Sequence, residues 1–376
     1  MTGRERLTRI FNNQETDRPS FKLWGLGLGQ KIINERYRPV YERAAELTDI
    51  WAGAGSKIDP KFGSKNDDIK MTVEDIPRSD GDWIDRHTAL TVSGRTLTSV
   101  FRWSRKGNPG YDTEHLIKEP DDLRAVLAHE YIPYPVDISS YHKADALVGE
   151  RGIATFGLPH AAYEVQRIMG SEAFALFCMD ERELIAEAVA VFKKRIYSHV
   201  RAVLEAGIKP VFSWVGPELC IPPLAGMNEF EEFVFAPDKE ICDLIHSGGG
   251  NVWVHCHGRV GRLIERFIGM GVDVLNPIEP PPQGDVTMNE AVAAAKGRIG
   301  LEGNIEIGAL LLEKPETLRG KIREAAREGA KNGRFILCQS AGYMEYPEPT
   351  PEYIENLLFY LEYGYACLTG GEADHE

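Results

Sequence analysis

Only six of the 376 residues are cysteine, and no two of them form a CxxC pair. That is too sparse for a disulfide-built scaffold and fits reduced thiols in a reducing compartment. No run of 18 apolar residues occurs, which excludes a membrane-spanning helix. Positive charge is also short: 43 Lys and Arg against 57 Asp and Glu leave a formal charge of −14. Nucleic acid and anionic membrane surfaces are therefore not expected partners. The first residues set Leu7, Ile10 and Phe11 among Arg4, Arg6 and Arg9 and lack the apolar core of a secretory signal, so the expected location is cytoplasmic. Apolar residues make up 43% of the chain, enough for a large core.

The chain reads as a short amphipathic helix, a first strand at 21–25 and a glycine-rich turn, Gly25 to Gly29. Residues 50–118 alternate apolar and polar side chains with a turn at Ser93-Gly94, the pattern of antiparallel hairpins, and are read as an inserted β-rich subdomain. From about residue 120 the pattern changes to strand, loop and helix. Strands are expected at 152–156, 210–214, 252–255, 272–276, 298–302 and 334–337, with helices near 171–206, 228–247, 259–269, 287–295 and 315–332. Five of these six strands are near-continuous apolar runs, as in a parallel sheet covered on both faces. The starts after 210 are 42, 20, 26 and 36 residues apart, which suits right-handed βα units. No GxGxxG opens such a unit. The fold expected is α/β, a (β/α)8 TIM barrel of one domain over 1–376 with an N-terminal helical and β-hairpin elaboration, although only seven strands are counted.

In such a fold the functional groups collect at the C-terminal ends of the strands. Those ends carry His160, Glu218, His255-Cys256-His257, Glu279 and Cys338. In an extended chain residues i and i+2 face the same way, so His255 and His257 can share one target while Cys256 turns away. Adding Glu279 and Cys338 gives a mixed His/Glu/Cys set acceptable to Zn²⁺, with an overall neutral centre suited to Lewis-acid catalysis. Iron or cobalt would accept the same donors. The competing reading is a pair of hydrogen-bonded imidazoles and a buried thiol. Glu218, in a stiff loop after Gly216-Pro217, is the candidate catalytic carboxyl, as acid, substrate contact or further metal contact. Trp24, His160, Tyr163, Trp214, Tyr343 and Tyr346 are candidate substrate contacts for a flat apolar group, with core packing the alternative for at least half of the aromatics.

The segments Gly216-Pro217-Glu218, Val254-His255-Cys256-His257-Gly258, Asn276-Pro277-Ile278-Glu279-Pro280-Pro281 with Gly284-Asp285, Leu301-Glu302-Gly303-Asn304 and the late Cys338 resemble the uroporphyrinogen decarboxylase superfamily, and within it the cobamide-dependent methyltransferase branch. The likeness is strongest over 205–345 and weaker over 1–200. Relatives of that branch carry zinc on HxC or HxH, a glutamate about twenty residues later and a late cysteine. Here these match His255 and His257, Glu279 (22 residues after His257) and Cys338. His257 stands where many relatives have cysteine, which makes a harder centre better suited to oxygen than to a thiol. The decarboxylase itself matches poorly: 18–25 lacks its arginine-bearing segment, and Cys338 to Gly342 replaces its late His-Gly element. The texture is most similar to the aryl methyl ether O-demethylases. The resemblance thus implies a zinc-dependent methyltransferase that moves a methyl group from a methoxylated aromatic to the Co(I) corrinoid (cobalamin) of a transient partner protein. Alternatives are a methylthiol or methylamine donor, tetrapyrrole decarboxylation, or a non-catalytic corrinoid-binding relative.

Overall fold

The structure, a computed structural model, describes all residues except 26–27, 29–31, 33, 65–67, 343–347 and 372–376. Among the described residues twelve strands form two sheets: β1 (Ser20–Phe21), β2 (Ile50–Ala54), β3 (Lys70–Pro77), β4 (Trp83–Val92), β5 (Arg95–Ser104), β6 (Tyr111–Glu114), β7 (Gly152–Leu158), β8 (Val211–Val215), β9 (Asn251–His255), β10 (Val274–Ile278), β11 (Gly300–Ile305) and β12 (Phe335–Gln339). Eight of them make one sheet in the order β1-β12-β11-β10-β9-β8-β7-β2, with every pair parallel. This is barrel order. Asp49 draws the two ends together: its backbone N–H donates to the Phe21 carbonyl at 2.8 Å, and its carboxylate accepts from Ser20 at 2.7 Å and Arg6 at 2.6 Å. The TIM-barrel-like α/β architecture expected from the strand spacing is thus observed.

The eighth strand is β2. Residues 50–54 fall in the stretch read as insertion, but they pair with β7 from Ile50↔Gly152 to Ala54↔Phe156. The short Ile-Trp-Ala-Gly-Ala run has too few β-branched residues to stand out from the hairpins after it. Those hairpins form a separate antiparallel sheet, β3-β4-β5-β6. Ser93 and Gly94 turn β4 into β5 with φ of 48° and 76°, the two positive values a type I′ turn requires.

Strand alternation sorts the core into two parts. Phe156, Phe212, Val252, Val254, Leu275, Leu301 and Leu337 pack outward among the helices. Ile153, Val211, Trp253, Val274 and Ile336 form an inner cluster with Leu7, Ile10 and Phe11 of the first helix (Gly3–Phe11), which plugs the N-terminal end of the barrel. Arg334 fixes that plug, donating to the Ile10 carbonyl at 2.8 Å and the Phe11 carbonyl at 3.2 Å. The expected helix at 171–206 is two helices, Ala161–Asp180 and Arg182–Glu205. A further helix, Pro351–Thr369, went unread; its Tyr360 packs on Phe21 at 5.2 Å between ring centroids. Among the described residues no helix is long and apolar enough to cross a membrane.

Candidate active site

β9 delivers the first functional group. Asn251, Trp253 and His255 alternate with the outward Val252 and Val254, so His255 enters the barrel from its C-terminal end. The imidazole is buried. Its Nδ1 lies 2.6 Å from Asn276 Oδ1, an acceptor, so Nδ1 carries the proton and Nε2 keeps its lone pair. Burial holds the ring neutral, lowering its pKa to about 4; the Asn276 hydrogen bond opposes this, while neighbouring His257 and Lys22 reinforce it.

Two residues later the chain brings His257 to the same place. The rings are 4.4 Å apart and perpendicular. His257 Nδ1 lies 3.0 Å from Glu279 Oε1, and the other carboxylate oxygen of Glu279 accepts the Gly258 backbone N–H at 3.2 Å. Gly258 has φ +97°, a conformation a side chain would strain, and this turn aims its N–H at Glu279. Burial works against charge on His257, but the hydrogen bond and charge of Glu279, with Glu218 and Glu306, win and raise its pKa. Each imidazole is therefore oriented through Nδ1, and neither Nε2 has a hydrogen-bond partner among the described residues.

The four-ligand set is not assembled. Among the described residues no three His, Cys, Asp or Glu side chains stand together as a metal site. Both oxygens of Glu279 are occupied by His257 and Gly258. Cys338 is fully buried in β12, its Sγ directed to Gln339 Oε1 at 3.7 Å. Burial, then the charge of Glu302, pushes that thiol well above its ordinary range. The donors as arranged do not fit a closed zinc centre.

The other expected residues separate into two groups. Trp24 belongs to the site: its ring is half-buried, 4.8 Å from His255 and 5.6 Å from Trp253. Glu218 lies in a single turn, Pro217–Cys220, where its carboxylate accepts the Gly216 N–H at 3.0 Å, close enough for its charge to act on His257. Tyr163 packs against Gly216. His160 is engaged elsewhere: Nε2 meets Asp238 at 2.8 Å, and Nδ1 accepts the Tyr163 N–H at 3.3 Å as a helix cap. Trp214 faces the outer core because it alternates with the inward Val211. Tyr343 and Tyr346 lie outside the described residues, as do residues 26, 27 and 29 of the glycine-rich turn.

Several participants were not anticipated. Beneath His255, Lys22 Nζ contacts Glu302 Oε1 at 2.8 Å, and Trp253 Nε1 donates to Glu302 Oε2 at 2.8 Å. The same ammonium lies 3.8, 4.7 and 4.9 Å from the rings of Trp51, Trp24 and Trp253. A lysine inside the apolar Phe21-Lys22-Leu23 run was the available signal. Glu306, just past β11, was hidden because the strand was read as ending at Glu302. One of its oxygens is buried without a partner among the described residues. Its carboxyl is pushed up to about 7 by burial and by Glu279, with His257 pulling the other way.

A carboxyl whose pKa is higher folded than unfolded holds its proton more tightly in the native state, so this group costs stability as pH rises from 4.5 through about 7. Glu306→Gln should raise the melting temperature at about pH 8 and change it little at about pH 4. An equal gain at both would show that ionisation is not the cause.

The family profile of uroporphyrinogen decarboxylase (URO-D) matches residues 154–358, more than half of the chain, and the chain belongs to that family. Among solved structures, a methyltransferase from Methanosarcina mazei shares the fold with a TM-score of 0.60 at 14% identity, covering 97% of this chain and 100% of that one. A D-psicose 3-epimerase with D-tagatose from Clostridium cellulolyticum H10 gives a TM-score of 0.34 at 13% identity over 62% of this chain and 83% of that chain. No curated protein matches the sequence.

Proposed function

We propose that the chain is a methyltransferase that removes the methyl group of a methoxylated aromatic and delivers it to the Co(I) corrinoid of a partner protein. The observation that carries this reading is the imidazole pair at the barrel mouth, anchored through both Nδ1 atoms and with neither Nε2 bonded to a described residue, beside the Trp24 ring. Co(I) supplies the electron pair that forms the bond to the methyl carbon. The C–O bond breaks with its pair on oxygen, and a phenolate leaves poorly unless that charge is met. His257, fixed by Glu279, is the group placed to give a proton from Nε2 to that oxygen, so that a phenol departs. Trp24 offers a flat apolar face to the ring of the donor. The methyl acceptor reaches the same mouth, and the encounter with its carrier is transient.

The test is donor-dependent methylation of reduced cobalamin, followed by its absorbance, with the released phenol measured by chromatography. Methoxyarenes should support both signals in equal amounts. Transfer from methylthiols or methylamines alone would replace the ether reading with the alternative donors. Equilibrium dialysis against Zn²⁺ separates a metal route. One ion per chain, lost in both His257→Ala and Cys338→Ala, would show that the four residues rearrange around zinc and that the metal, not a proton, meets the leaving oxygen.

A further inference from the structure

A cavity of about 570 Å³ lies outside the barrel wall, between the helix Arg182–Glu205 and the segment at 131–136, and none of its lining residues belongs to the site above. Its volume is that of a small-molecule pocket. Two features set it apart from an ordinary surface crevice.

The first is charge. Lys57, Lys194 and Arg195 line it, and among the described residues none of the three forms an ion pair with a carboxylate, although the chain carries a net charge of −14. Lys57 Nζ instead lies over the Tyr134 ring at 4.2 Å, and the Arg195 guanidinium lies over Tyr131 at 4.2 Å. Arg195 Nη1 donates to the Pro60 and Lys61 carbonyls, which fixes the guanidinium while leaving its other nitrogens available. Asp59, the carboxylate that acts on Arg195, is bound to Lys61. The second feature is His199. It is 8% exposed and lines the cavity, with an Nε2 that is wholly buried and has no hydrogen-bond partner among the described residues. Phe156 stands behind its ring at 6.4 Å.

We propose that this cavity binds a small aromatic carboxylate. The ring lies between the tyrosine-lined wall and the apolar side chains of the helix. The carboxylate meets the unpaired cations, and the His199 ring forms part of the buried wall. A neutral ligand would leave the cations unused, and a polyanion would meet too much apolar wall.

Binding of 2-naphthoate to the full chain, read by calorimetry, tests the proposal against the neutral 2-naphthamide. One molecule of naphthoate should bind per chain, about tenfold more tightly than the amide. Lys57→Glu with Lys194→Glu should weaken it by about tenfold or more. Ala202→Trp, which fills the cavity, should abolish it. No saturable binding, equal affinity for acid and amide, or affinity untouched by the lysine changes would overturn the proposal. Both lysines are exposed, so their variants remain decisive even if Ala202→Trp does not fold.

Discussion

His257→Ala is expected to lower donor-dependent methyl transfer by about two to four orders of magnitude, the range spanned by loss of a positioned general acid. The size follows from how the imidazole is held. Glu279 takes one nitrogen and is itself fixed by the Gly258 N–H, so the ring reaches the substrate preoriented through the other. Glu279→Gln keeps the shape but removes the charge that favours a protonated ring. It should slow transfer less than His257→Ala, by about tenfold to a hundredfold, and move the fall in rate to lower pH. Measured as the initial rate of methylcobalamin formation, a loss of only a few fold in His257→Ala would remove this residue from the chemistry. His257 is half-exposed and its substitution leaves no core cavity, so an unchanged melting temperature would separate catalysis from folding.

Lys22→Met is expected to destabilise the fold more than any other single change considered, by about 3–5 kcal/mol, the usual cost of stranding one member of a buried ion pair. Glu302 is completely buried, and without the ammonium its charge would keep the neutral Trp253 N–H and Cys338 thiol but no counter-charge among the described residues. The three tryptophans around Lys22 would also lose their cation. The double variant Lys22→Met with Glu302→Gln, which removes both charges of the pair, should recover much of the loss. Chemical unfolding of wild type, single and double variants reads this directly. A double variant as unstable as the single one would show that packing, not the stranded carboxylate, sets the cost.

The pair also explains where reading the chain falls short. A lysine in a strand of phenylalanine and leucine is visible, and so is a glutamate in the polar run before Gly303. They stand 280 positions apart, and what pairs them is the meeting of the chain just past β1 with β11 across the barrel interior. The same limit applies to Glu306, whose neighbours Glu279 and His257 come from other loops. His160 shows the reverse error: a histidine at the right strand end, yet turned to Asp238 and to its own helix. Position along a strand predicts which rim a residue reaches, but not which partner claims its side chain first.

Local physics therefore determined much of this protein from its sequence. Apolar runs at βα spacing pointed to a parallel barrel and supplied seven of its strands, the Ser93-Gly94 turn dictated a hairpin, and the two-residue repeat of an extended chain put His255 and His257 side by side. Tertiary structure alone decided what the site contains. It turned Glu279 to His257, left Cys338 with Gln339, put Lys22 among three tryptophans and completed the barrel with β2. Strand periodicity fixes direction within a few residues, whereas distances between strands depend on how the whole sheet twists and closes.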